Sequence, residues 1–165
     1  MATSVKTYSD ASVSNASNQT ITTLNGLPTI PPGATISSVI LSFTCYRQNG
    51  PADNEIRVAL GDTVYYTIQD LKHKTYDSRE VDIKDIINNN NGNLTYINGS
   101  TSLSLRAWHN WTLINATWNL SSIKITVTFT KKCVVILNPT GGTVSPTSIT
   151  YDYENTYGTL PTPTR

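Results

Sequence analysis

The sequence predicts an all-β protein: an antiparallel β-sandwich or jelly roll, followed by a partial small β-grasp-like repeat. Three observations carry that expectation. In residues 121–132, Ile123, Ile125, Val127 and Phe129 alternate with Lys124, Thr126, Thr128 and Thr130, giving an extended chain one apolar and one wet face. Residues 36–47 repeat the pattern, with Val39, Leu41, Phe43 and Cys45 on one parity and Ser38, Ser42 and Thr44 on the other. Residues 55–60 and 63–68 flank Gly61-Asp62, a two-residue loop whose Gly supplies the positive φ that a primed hairpin turn needs.

The remaining elements follow in chain order. Residues 5–8 and 20–24 are modest strand candidates separated by a Ser/Asn-rich stretch, and Asn25-Gly26, Pro28, Pro31, Pro32 and Gly33 then punctuate the chain. After the hairpin, residues 69–80 are polar and read as irregular. Val81-Asp82-Ile83-Lys84-Asp85-Ile86-Ile87 reads as a short strand entering a single helical turn, ended by Asn88–Asn91 and Gly92. Residues 102–108 place Leu103, Leu105 and Ala107 inward. A loop with His109, Asn110 and Trp111 leads to a strand over 114–120, and the alternating run at 121–132 closes the domain. About eight short strands with almost no helix define a sandwich or jelly roll. The domain boundary is placed at Lys131-Lys132, giving units 1–131 and 132–165.

Only 14% of the 165 residues are charged, and the deficit is made up by Asn, Thr and Ser. Such a neutral, hydroxyl- and amide-rich surface suits a protein displayed outside the cytoplasm. Net charge is +1 and no basic run is longer than Lys131-Lys132, which argues against a nucleic-acid groove. No stretch approaches the roughly 20 apolar residues that span a bilayer, so membrane insertion is not expected. The N-terminus lacks the charged-then-apolar build of a secretory signal, which suggests a removed signal or a route out of the cell without one, as for virion components released by lysis. Cys45 and Cys133 read as small buried hydrophobes rather than as a pair. The seven Asn-x-Ser/Thr triplets read as a consequence of composition.

Two segments resemble known families. Pro-Pro-Gly-Ala-Thr-Ile-Ser-Ser-Val-Ile-Leu-Ser-Phe (31–43), Val-Asp-Ile-Lys-Asp-Ile-Ile (81–87), Asn-Gly-Asn (91–93) and Ser-Leu-Ser-Leu-Arg-Ala (102–107) together resemble jelly-roll modules of bacterial surface proteins and of structural proteins of phages infecting Gram-positive bacteria. Residues 132–165, with a strand before Asn-Pro-Thr-Gly-Gly (138–142) and the ending Tyr-Gly-Thr-Leu-Pro-Thr-Pro-Thr-Arg (157–165), resemble the first half of the Listeria–Bacteroides repeat, a β-grasp repeat of internalin-type surface proteins. Cys133 stands where those repeats commonly carry an aromatic. The second half of such a repeat, with its Gly, aromatics and Trp-Tyr strand, would follow Arg165.

No catalytic, metal or cofactor signature occurs: no His-Glu-x-x-His, Gly-x-Ser-x-Gly, Cys-x-x-Cys, phosphate-cradling glycine loop or acidic calcium loop. His73, in Lys-His-Lys, reads as solvated. Glu80 and Asp82 can share a strand face, yet a glycosidase needs a second carboxylate across a cleft. Asp82 and Asp85 fit better as caps of the helical turn. Trp108, Trp111 and Trp118 crowd into eleven residues with His109, Asn110 and Asn115. Indole faces beside amides suit a sugar ring, so Trp108, His109, Asn110, Trp111 and Trp118 form the candidate ligand or interface cluster. The alternatives are rings that close the end of the sandwich, or rings that pack on a neighbouring subunit.

These readings converge on a non-catalytic structural or adhesion protein at a virion or cell surface. The expected setting is a phage fibre, tail or capsid decoration contributing to host attachment. Its partners would be other virion or surface proteins, further copies of itself, or a host glycan. The alternative is a cell-wall adhesin or carbohydrate-binding module of a Gram-positive bacterium.

Overall fold

The structure is a computed structural model that describes residues 1–14, 19–49, 54–60, 63–85, 102–109, 116–156 and 158–164. Eleven strands occur among them: β1 (Ala2–Thr7), β2 (Ala11–Ser14), β3 (Gln19–Leu24), β4 (Thr35–Arg47), β5 (Asn54–Leu60), β6 (Thr63–Ile68), β7 (Asp77–Asp82), β8 (Leu103–His109), β9 (Thr117–Thr130), β10 (Lys132–Ile136) and β11 (Ser148–Asp152). All pairings are antiparallel.

Two sheets form the sandwich. One runs β1-β9-β4-β7, with β2 also on β9; the other runs β3-β8-β5-β6. β1 and β2 lie along successive parts of the same strand, β1 opposite Lys124–Phe129 and β2 opposite Thr117–Leu120, so together they act as one interrupted strand. Eight strands then fall into two four-stranded sheets between which the chain alternates except at the β5–β6 hairpin, which is a jelly-roll order. The run around 121–132 is the middle of the larger sheet, flanked by β4 on one side and by β1 and β2 on the other. That position explains its unbroken β-branched character, since a central strand spends both edges on ladders and one face on the core.

The inner faces supply the core. Val39, Leu41, Phe43 and Cys45 from β4, and Trp118, Leu120, Ile123, Ile125, Val127 and Phe129 from β9, meet Ile56 and Val58 from β5 and Leu103, Leu105 and Ala107 from β8. The inward parity of β9 changes from even to odd between Leu120 and Ile123. A register shift opposite Ser42–Thr44 absorbs the extra residue, and Ser122 takes a positive φ of 54°. The Asp10 carboxylate accepts the Ser122 N–H at 3.1 Å, and the Ile123 carbonyl accepts the Tyr8 N–H at 2.9 Å, so the break between β1 and β2 fits the bulge.

Four expectations need correction. Residues 69–80 are not wholly irregular: β7 begins at Asp77 and carries the edge of the larger sheet. The Ser/Asn-rich stretch holds β2. The strands expected at 114–120 and 121–132 are one strand, β9, and His109 belongs to β8 rather than to a loop. The helical turn is present as far as it is described, with Lys84 and Asp85 helical and the Asp82 carboxylate accepting the N–H of Lys84 at 2.9 Å and of Val39 at 3.1 Å. Cys45 is buried and Cys133 half-buried; both thiols are free.

Beyond Lys131, β10 and β11 make a separate two-stranded sheet. It meets the sandwich where Tyr153 packs on Phe129, ring centroids 6.0 Å apart, and where the Lys131 carbonyl accepts the Tyr153 N–H at 2.8 Å. Lys132 and Asp152 form an ion pair across the pair of strands. Val134 and Ile136 are exposed on its outer side.

Candidate binding surfaces

Strand alternation distributes the predicted cluster rather than gathering it. Trp108 points out of the four-stranded sheet and is half-buried. His109, the next residue, points inward and is buried. Trp118 lies on the inner face of the other sheet with no solvent exposure. Asn110 and Trp111 lie outside the described residues. Among the described members of the cluster, Trp108 alone reaches the surface.

Trp108 stands in a row of polar side chains on the outer face. The Arg57 guanidinium sits over its ring at 4.1 Å from the centroid. Arg57 Nε donates to Glu55 at 3.1 Å, and Gln69 Nε2 donates to the other Glu55 oxygen at 2.8 Å. Register explains the grouping, because Glu55 lies directly opposite Trp108, with Arg57 two residues on along the same face. One indole face is therefore covered by a cation whose charge is itself balanced. Within this row Arg57 and Gln69 both bond Glu55, and Arg57 covers the Trp108 ring.

The buried polar residues close one end of the sandwich. Arg47 and Trp118 lie opposite each other at the end of the larger sheet, and Asn54 and His109 at the end of the smaller. The chain passes between the sheets at this end, from Arg47 to Asn54 and again from His109 to Thr117. The Arg47 guanidinium lies 5.9 Å from the Trp118 ring centroid, and burial pulls its pKa down. Arg47 extends the apolar parity of β4 by one step, so continued alternation past Cys45 was the signal that could have found it.

The outer face of the larger sheet is different in character. A depression of about 640 Å³ lies across β1, β4, β7 and β9 at the bulge, its lining including Ser42, Thr44, Ser78, Ser122, Glu80 and Lys124. Register places Thr7, Lys124, Ser42 and Glu80 in one line across four strands. Thr44 and Ser78 share a hydroxyl hydrogen bond of 3.0 Å in the next line. Two residues further along β4, Tyr46 pairs with the strongly exposed Tyr76, ring centroids 5.0 Å apart and planes at 41°. Glu80 and Lys124 are exposed, and neither has an ionic partner among the described residues. Sequence reasoning missed this surface, because its residues come from four strands and each is an ordinary outward Ser, Thr or charge.

Among the described residues, no group of three or more His, Cys, Asp and Glu side chains converges to hold a metal ion, and no helix is long and apolar enough to cross a membrane. His73 is exposed, as expected. Compared with protein-family models and with curated proteins, the chain matches none.

Proposed function

We propose that this chain is a non-catalytic structural and adhesion protein displayed outside the cell, a phage virion component of the fibre, tail or capsid-decoration kind that contributes to host attachment. The observation that carries the reading is the continuity of β9. This strand of 14 residues runs roughly 45 Å along the sandwich and, after Lys131 alone, hands the chain to a second β unit at the far end. A rigid two-sheet body that holds a further module away from its other end has the layout of a spacer. The outer faces suit display: they are rich in hydroxyls and sparse in charge, and Arg57 and Glu55 are paired locally. The resemblance of residues 132–165 to a surface-protein repeat, and of roughly 30–130 to virion and surface modules, supports the same setting.

Antibody raised against the chain, applied to particles and cells of the source culture and followed by gold-label electron microscopy, tests this reading. Label on particles is the expected result. Label confined to cell walls favours the second reading, a cell-wall adhesin or carbohydrate-binding module, which the surface position of Trp108 supports. Label in neither place overturns both.

A further inference from the structure

The depression on the larger sheet has the composition of a ligand site. We propose that it binds a neutral saccharide chain, read by the hydroxyls of Ser42, Thr44 and Ser78, by Glu80 and Lys124, and by stacking on Tyr76. The inference deepens the attachment reading and rests on it for biological meaning, though its chemistry is independent of whether the carrier is a virion or a cell wall.

The floor decides how a ligand can be recognised. β4 and β9 are interior strands whose main-chain groups are committed to ladders on both sides, so an added peptide strand finds no open edge there. Over β4 and β9, recognition must come from side chains. Ser and Thr hydroxyls each offer one donor and two acceptor positions, which matches the dual character of sugar hydroxyls. Thr44 and Ser78 spend only part of that capacity on each other.

The charges narrow the class. One carboxylate, Glu80, and one ammonium, Lys124, flank Ser42 on the neighbouring strands without ionic partners among the described residues, and their charges cancel. Glu80 can accept from two adjacent hydroxyls while Lys124 donates. A polyanion would need clustered cations; of the cationic residues lining the groove, Lys124 faces outward, whereas Arg79 lies on the inward parity, its guanidinium held by Asp77 at 2.7 Å and by the Asp70 carbonyl.

Outside the lining of the depression, two residues further along β4, an aromatic pair supplies what hydroxyls lack. Tyr76 is 72% exposed and is braced by Tyr46, so its ring is held without being covered. A held, open ring is a stacking surface for the apolar face of a pyranose. By contrast, the one surface tryptophan described has a face filled by Arg57. From Tyr46 to Ser42 along β4 is roughly 13 Å, a span for an oligosaccharide rather than a single sugar.

Native gel electrophoresis of the intact chain through gels containing dextran, mannan or hydroxyethyl cellulose tests the site, with alginate as the acidic comparison. Retardation by at least one neutral polymer is expected. Tyr76→Ala, and separately Lys124→Ala, should weaken it about ten-fold with unchanged melting temperatures, while Tyr76→Phe and Trp108→Ala retain it. Three results overturn the proposal: no retardation by any neutral polymer, retardation by alginate alone, or loss in Trp108→Ala with Tyr76→Ala unaffected. None of these alters where the antibody label falls, so failure of the groove and failure of the display reading are told apart.

Discussion

Asp77 shows how one residue can hide a strand and steady it. It faces inward opposite Cys45 at the sheet edge, where an apolar residue would be the ordinary choice. Burial alone would raise its carboxyl pKa. Hydrogen bonds from the Arg79 side chain, at 2.7 and 3.0 Å, and from the Lys72 N–H, at 3.1 Å, outweigh that and hold it below the usual carboxylate value. A depressed folded-state pKa means that the unfolded chain binds the proton more readily. The stabilisation is therefore complete above the unfolded value, about 3.9, and drains away as pH falls through and below it. Asp77→Asn should cost about 2 kcal/mol in urea unfolding at neutral pH, and the gap between variant and parent should narrow below about pH 4. A gap that stays constant down to pH 2 would show that the charge of Asp77 contributes nothing.

At the scale of the element, legibility in the sequence tracks how much of a strand's inner face is apolar. β4, β5, β8 and β9 each present hydrophobic residues at every second position, and the hairpin at Gly61-Asp62 was announced by its turn residues; its pairing joins Leu60 to Thr63. β7 was illegible because its inward positions are Asp77, Arg79 and Val81, an ion pair standing where apolar residues would normally signal a strand. β2 is four residues long with one large apolar side chain, too short for a period. The outward position of Trp108 and the inward position of Trp118 both follow from alternation, which is why residues close in sequence ended on different faces of different sheets. The bulge in β9 also had a signature, the shift of apolar parity between Leu120 and Ile123. Its geometry makes a prediction. Ser122 holds a left-handed backbone, which costs an L-residue roughly 1–2 kcal/mol and a β-branched residue more. Ser122→Gly should leave stability unchanged or raise it, whereas Ser122→Val should lower it by about 2 kcal/mol in denaturant unfolding. Equal stability for the two variants would mean that the bulge relaxes when its residue is changed.

For the whole molecule, the question is how strongly the sandwich and the terminal β10–β11 pair depend on each other. The sandwich has its own core, closed above and below by two sheets, and the core residues fall between Ala2 and Phe129. The terminal pair has no such enclosure, since all its residues are at least partly exposed and its contact with the sandwich centres on Tyr153 against Phe129. Two strands alone are marginal in water, so dependence should run one way. A chain ending at residue 131 should retain β-sheet circular dichroism and melt in one cooperative transition. It should lose about 1 kcal/mol for the tyrosine no longer packed on Phe129. Residues 132–165 as a separate peptide should show no cooperative melt. If the shortened chain instead fails to fold, β10 and β11 are part of the body they follow rather than a load it carries, and the spacer geometry of β9 loses its meaning. If both pieces fold, the pair has stability that its own open faces do not explain. Only the asymmetric result agrees with a rigid stack carrying a module that it stabilises through one aromatic contact and one strand junction.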